Sequence, residues 1–309
     1  GNLVAFFGPD FKATFDKQSG LLTSYLYKKH EYILNGQGPH PFFWRAPTDN
    51  DYGANLPVRL KAWKEASYQE PKAESFQVTP GSNATTVKVT YRFPQTEARW
   101  DITYKIYASG TIKVDNRFMA EGDQAPMIPR VGLRMQLPES FTDLTYYGRG
   151  PKENYRDRRT SQFIGEYAIP VKDMYEPYVR PQENNHRTDI YWCALTDKTQ
   201  RGLLLIADRT FELNASNYPW KAWIAAIRLT TVPAYRKDQS PPPHRPSAGK
   251  MVDLFIDYRM MGVGGDDSWG ATAHEPYLIR PGKENAIEYG FTLVPFDKKE
   301  DYKYLIRQY

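Results

Sequence analysis

Four stretches of this chain gather short polar side chains beside glycines and aromatics, a mix that could grip a polyhydroxyl ligand. One is GVGGDDSWG, Gly262 to Gly270. Its Gly-Gly pair admits backbone angles that a Cβ resists. Asp266 and Asp267 can accept hydrogen bonds from backbone N–H groups or from sugar hydroxyls. Trp269 offers a broad apolar face and one N–H donor, which suits the C–H face of a pyranose. The same residues could equally form a tight turn, with the aspartates capping backbone groups and the indole filling a core.

The other three stretches raise similar pairs of readings. FFWRAPTDNDYG runs from Phe42 to Gly53 and places Asp49, Asn50 and Asp51 in a row after Arg45 and Pro47. Such acceptors can cap a turn, bind a cation or receive sugar hydroxyls, and on their own they read as a capped turn. Their spacing does not fit a calcium loop, which needs alternate acceptors and a bidentate Glu further on. YYGRGPKENYRDR, Tyr146 to Arg158, sets Arg149 between two glycines and Glu153 after Pro151. Arg149 and Glu153 read as a structural ion pair beside a loop, or as two groups facing a polyol. MYEPYVRPQENNHRTDIYW, Met174 to Trp192, holds Glu183, His186, Arg187 and Asp189. A histidine transfers protons near neutral pH, and a carboxylate can assist it. Glycoside hydrolysis needs two carboxylates flanking the scissile bond, and nothing in the order of residues selects such a pair. His30, His40, His244 and His274 are scattered and lack metal-ligand spacing.

The elements that would position these groups are strands. Lys12–Asp16 and Leu22–Tyr27 flank a turn at Lys17–Gly20 and read as a hairpin. Thr85–Phe93, Trp100–Tyr107 and Thr111–Phe118 alternate apolar and polar residues and read as a meander. Val131–Leu137, Leu144–Tyr147, Asp189–Leu195, Gly202–Ile206, Met251–Tyr258, Tyr277–Arg280 and Ala286–Val294 continue the pattern. Leu60–Ala66 is the one convincing helix candidate. The fold class is therefore all-β, an antiparallel sandwich, with no alternation of strand and long helix to suggest a Rossmann unit or a TIM barrel. Asp123–Pro129 reads as a crossover and the proline-rich Lys237–Lys250 as an exposed loop. Residues 1–296 form the sandwich, and the charged tail, 297–309, could carry a short surface helix.

The 309 residues carry a formal net charge of +5, 40% hydrophobic and 15% aromatic residues, and one cysteine. Basic and acidic residues are interspersed, and no nucleic-acid-binding pattern is present, so a nucleic-acid partner is not expected. Cys193 sits in an apolar run and reads as a buried inert thiol, which leaves no disulfide and no cysteine metal site. No apolar run approaches a membrane span. Gly1 is not a natural start, and the chain reads as a piece of a longer one. The absence of a leader therefore leaves the compartment open between a bacterial cytoplasm and a periplasm.

Taken together and in order, FFWRAPTDNDYG, GRGPKENYRDR, MYEPYVRPQEN and MGVGGDDSWG resemble the small-chain domain at the C-terminus of the family 2 β-galactosidases. The hairpin from Asp10 to Tyr27 resembles that domain's opening. The resemblance covers about Phe6 to Pro295. It implies a twisted antiparallel β-supersandwich similar to the galactose mutarotase fold. It also implies that no catalytic residue lies in this chain, because the nucleophile and acid/base glutamates of such enzymes belong to a TIM barrel. The barrel and the other domains are then partners, with a β-galactoside as substrate and a further oligomer possible. Trp269 is implied to contact the substrate at the pocket's mouth, on a loop shaped by Asp266 and Asp267. The loop from Gly53 to about Arg59 borders the same pocket, next to Asp49, Asn50 and Asp51. The resemblance assigns no sugar contact to Arg149, Glu153, Glu183, His186 or Arg187, which stay polar candidates. No cofactor is implied here, since magnesium or sodium in such enzymes sits mainly in other domains.

Two departures stand out. Asn185 occupies a position where relatives usually carry glycine, and asparagine tolerates positive φ better than most residues. The 217–250 region, with Trp220 and Trp223, is unlike that of relatives. Two other functions stay open: a stand-alone carbohydrate-binding module with Trp220 and Trp223 lining a groove, and, by fold analogy alone, a mutarotase-like epimerase using His186.

Overall fold

The computed structural model describes residues 1–122, 126–178, 180–221, 248–267, 270–298 and 300–308. Local chemistry sets the first element. The Asp16 carboxylate accepts from the N–H groups of Gln18 and Ser19 at 2.8 and 2.7 Å. Gly20 then closes the turn at φ 75°, where a side chain would be strained. β1 (Leu3–Phe7), β2 (Phe11–Asp16), β3 (Leu22–Tyr27) and β4 (His30–Glu31) follow as an antiparallel sheet in that order. The β2–β3 hairpin is the one expected.

Three short helices come next, after β5 (His40–Phe42). They are α1 (Asp49–Gly53), α2 (Leu56–Arg59) and α3 (Lys61–Tyr68). The expected helix is α3, whose Trp63 is fully buried. The Asp-Asn-Asp run is more than a capped turn. Thr48 accepts from the Asp51 N–H while Asp51 accepts from the Thr48 N–H, a reciprocal cap that starts α1.

The expected meander is β7 (Ala84–Phe93), β8 (Ala98–Tyr107) and β9 (Ile112–Ala120), preceded by an edge strand β6 (Ser75–Thr79). The chain continues through β10 (Arg130–Pro138), β11 (Asp143–Gly150), β12 (Phe163–Pro170) and β13 (Arg187–Thr196). It ends with β14 (Gly202–Ser216), β15 (Met251–Met260), β16 (Ile287–Phe296) and the tail helix α4 (Tyr302–Ile306). The main sheet runs β12-β11-β13-β14-β16-β9-β8-β7-β6, and β15, β10 and β5 branch from it. The branch arises at β14, which is fifteen residues long. Its first half pairs with β16 and its last five residues pair with β15. Apolar residues of β7, β8, β10 and β15 meet in one core, closed at one end by Phe43, Trp63, Trp100 and Phe118.

Two expectations change. Tyr277–Arg280 is not a strand: Glu275–Tyr277 is a single 3₁₀ turn. Pro276 and Pro281 each remove a donor that a ladder needs, and Glu275 pairs with Arg280 across the bend. The edge strand β12 is additional, and half its residues face out, which hides its periodicity. The tail helix packs Tyr302, Leu305 and Ile306 onto Ala194, Leu204 and Phe296. Cys193 is fully buried and burial pushes its thiol pKa up, consistent with an inert thiol. Most of the 237–250 loop and residues 123–125 of the crossover lie outside the described residues; the rest of the crossover, 126–129, is irregular chain with Met127 and Ile128 buried.

Candidate functional site

The four motifs meet at one rim of the sandwich, held by carboxylates that bind backbone. Arg45 is the anchor. It is 3% exposed, and its Nε and a terminal nitrogen donate to the two Asp51 oxygens at 3.0 and 2.7 Å. The same guanidinium donates to the carbonyls of Met261 and Gly262, which ties the α1 segment to the last motif. Asn50 adds a bond from its side-chain amide to the Val263 carbonyl at 3.1 Å. From the second motif, Asp157 accepts from the N–H groups of Val263 and Gly264 at 3.1 and 2.7 Å. A Cβ at Gly262 would lie 2.6 Å from that carboxylate, so glycine is what lets the two loop segments approach.

The third motif is fixed in the same way. Asn154, fully buried, accepts from the Thr188 N–H and donates to the carbonyls of Arg149 and Lys152. Glu153 accepts from Asn185 N–H at 2.7 Å, from Arg158 and from the Tyr178 hydroxyl. Asn185 has φ 76°, the backbone angle that glycine would otherwise supply. Its side-chain amide spans to Asn214 and Ala215.

These ties enclose a cavity of about 180 Å³ lined by all four motifs. Thr48, Asp49 and Asn50 come from the first, Tyr155 and Arg158 from the second, Tyr178, Gln182 and Glu183 from the third, and Val263 from the fourth. Asp49 accepts from Arg180 at 2.6 Å. Glu183 accepts from the Ala46 N–H at 3.2 Å and pairs with Arg130 at 3.5 Å. The Tyr155 hydroxyl is buried and has no hydrogen-bond partner among the described residues. Burial, then the charge of Glu153, raises the Tyr155 pKa well above its usual value. Burial and the bond to Glu153 raise that of Tyr178 as well. Both tyrosines are therefore O–H donors near neutral pH. A wall of neutral hydroxyls, an amide and engaged carboxylates suits a neutral polyol better than an ion.

The other candidates lie around this cavity in different roles. Asp51 is committed to Arg45 and the α1 cap, and Gly53 ends α1; the stretch expected as a loop to Arg59 is the short turn Ala54–Asn55 followed by helix α2, which the Pro57 start favours. Asp266 is exposed and meets His274 at 2.8 Å. Asp267 accepts from the N–H groups of Gly270 and Ala271, so it shapes its loop. Trp269 lies outside the described residues. Arg149 does not pair with Glu153: its partner is Asp189, shared with Arg159, while Glu153 takes Arg158. The bulged β13 backbone turns Asp189 (φ 57°) toward both arginines. His186 is fully buried, its ring stacked on Tyr155 and its Nε2 2.9 Å from Glu212. It touches no cavity that a sugar could enter. Arg187 is buried and donates to the carbonyls of Asn185 and His186. Trp220 is 8% exposed and packs edge-on against Phe42 and Tyr68, so it presents no sugar platform. Trp223 lies outside the described residues. Tyr155, Tyr178 and Asp157 went unmarked in the sequence, although each stands inside a quoted motif. Among the described residues no three His, Cys, Asp or Glu side chains are placed to hold a metal ion. No described helix is long and apolar enough to cross a membrane.

The sequence profile of the family described as beta galactosidase small chain matches residues 7–293. The chain belongs to that family. It is 34% identical over 272 residues to a beta-galactosidase of Priestia megaterium, covering 88% of this chain and 25% of that protein. It is 32% identical over 281 residues to a beta-galactosidase of Lactobacillus delbrueckii subsp. bulgaricus, again 88% and 25%. The small-chain sequence thus spans about a quarter of the length of these relatives and corresponds to their C-terminal quarter. Its fold matches a galactose 1-epimerase from Lactobacillus acidophilus with a TM-score of 0.51 at 6% identity, covering 96% of this chain and 98% of that one. The curled antiparallel architecture is therefore that of the galactose mutarotase-like folds, as the sequence implied.

Proposed function

We propose that this chain supplies one wall of the substrate pocket in a β-galactosidase, with the bond-breaking glutamates carried by a barrel domain outside these residues. The observation that supports this most is the cavity lined by all four motifs, which are tied into one rim by Arg45, Asp157 and Glu153 across as many as 217 residues of chain. Its two carboxylates, Asp49 and Glu183, are already engaged with arginines or backbone, which fits holding a sugar and not attacking it. The Tyr155 hydroxyl, buried without a partner, is the group in this wall that gains most from a ligand oxygen.

Trp269, next to this rim in sequence, is the residue we place against the galactoside ring. A stacked indole contributes about 1–3 kcal/mol. Trp269→Ala in the β-galactosidase that carries this chain then raises KM for o-nitrophenyl β-D-galactoside several-fold and changes kcat less, the signature of lost ground-state binding. Unaltered KM and kcat would remove the indole from the site.

A further inference from the structure

The largest hollow among the described residues is not the four-motif cavity. It lies on the face of the main sheet over β8, β9, β16 and the exposed middle of β14, and it measures about 910 Å³. Arg156, Tyr258, Arg259 and Glu288 border both this cleft and a neighbouring hollow of about 380 Å³, so the two are continuous. His186 separates the cleft from the four-motif cavity. Its ring stacks on Tyr155 of the cavity, and its Nε2 bonds Glu212 of the cleft.

Strand alternation explains the lining. On β8 the residues Trp100, Ile102 and Tyr104 face the core, which turns Asp101 and Thr103 into the cleft. On β14 the apolar Phe211 and Leu213 do the same for Thr210 and Glu212. The result is a cleft with six basic and six acidic side chains. Such a balance gives no net field to attract a polyanion, which argues against nucleic acid or a sulfated glycan. It does give donors and acceptors at intervals along the strands, the arrangement that grips neutral vicinal hydroxyls.

A charged sheet face can also be mere solvated surface, and two observations weigh against that here. Asp101 and Glu212 are 6% and 4% exposed, so the floor holds carboxylates that are deeply sunk and fixed by Thr90 and Met260. Both also face an arginine, Asp101 with Arg99 and Glu212 with Arg156, so the floor is a fixed array of acceptors and not a set of freely solvated side chains. Arg209 and Arg259 also line the cleft, and among the described residues no carboxylate lies within ion-pair distance of either; the Arg259 guanidinium sits 4.8 Å from the Tyr258 ring. Their donors stay available to a ligand.

We propose that this cleft is a second carbohydrate site, one that takes a neutral oligosaccharide of several residues, separate from the galactoside pocket. It does not rest on the galactoside reading, and an inert Trp269 would leave it standing.

The test is calorimetric titration of the 309-residue chain with β-1,4-galactotetraose and with cellotetraose, with a heparin tetrasaccharide as the anionic counterpart. Hydrogen exchange then locates the bound sugar. Saturable binding of either neutral tetrasaccharide, with protection on β8, β9 and β16, is the expected result. The double variant Arg209→Ala/Arg259→Ala, which breaks no ion pair, then loses about tenfold or more in affinity at unchanged melting temperature. Four outcomes overturn the proposal: neither neutral sugar binds, heparin binds more tightly, protection falls at Thr48–Asn50 and Tyr178–Glu183, or the double variant binds as before.

Discussion

The β7–β9 meander and the four-motif rim are built by opposite means. In the meander the backbone ladder supplies the order, and one face packs the core: Val87, Val89, Trp100, Ile102 and Tyr104 are fully buried, while Lys88, Thr103 and Lys105 between them reach solvent. In the rim almost no ladder is present. Its backbone is held by side chains, with Arg45, Asp157, Glu153 and Asn154 each satisfying main-chain groups of a distant segment. A hydrophobic layer tolerates small losses because many contacts share the load. A rim of single charged anchors does not, because removing one leaves its partner buried and unpaired.

The first way to break this comparison is Arg45→Ala. It strands Asp51 and the carbonyls of Met261 and Gly262, and a loss of about 3–5 kcal/mol is expected in urea unfolding. Lys61→Ala, which removes the exposed pair with Glu65, produces no resolvable change in the same measurement. Comparable effects for the two would show that the rim is not anchored through Arg45. Next comes Ile102→Ala in the meander, at about 2–4 kcal/mol from lost burial and a new cavity. Hydrogen-exchange protection of Val263 and Gly264 stays as in the parent. Loss of that protection would merge the two regions into one cooperative unit.

A smaller effect sharpens the comparison through pH. Burial raises the Asp257 carboxyl to about 7, against the opposing pull of Arg130 and His186. An unfolded aspartate titrates near pH 4, at about 3.9. Between those values the folded chain keeps a proton that the unfolded chain has lost. The stability from this group is therefore full below about pH 4 and disappears as pH rises through about 7. The stability of the parent relative to Asp257→Asn falls as pH rises from about 4 to about 7, by at most about 1.4 kcal/mol per pH unit, and levels off above that. His40, which burial depresses to about 3, acts in the opposite sense in both proteins and cancels from the difference. A difference that rises with pH would contradict the assignment.

The meander was legible from period-two alternation because one of its faces meets water. The same rule explains what stayed hidden. β10 alternates Val131, Leu133 and Met135 with Arg130, Arg134 and Gln136, which reads as a half-exposed strand, yet both faces are buried. Its arginines pair instead with Asp253 and Asp257 of β15. The four motifs were legible as polar segments in a recognisable order, and Asn185 as a position of positive φ. The partners within the motifs were not. Arg149 stands four residues from Glu153, but its partner Asp189 lies 40 residues further on, at a bulge set by the register of β13 against β14. Tyr155 and Tyr178 carry no functional signal in the sequence, because a tyrosine in a strand-rich chain signals core first. Only the converging backbone shows that Tyr155 ends beside a cavity with its hydroxyl unsatisfied.

We propose a wall that holds a galactoside and breaks no bond by itself. Hydrolysis of o-nitrophenyl β-D-galactoside by the purified chain tests it most directly. The account predicts a rate equal to that of buffer at every pH between 5 and 8. Sustained turnover that follows the chain through purification and is abolished by Glu183→Gln would contradict it.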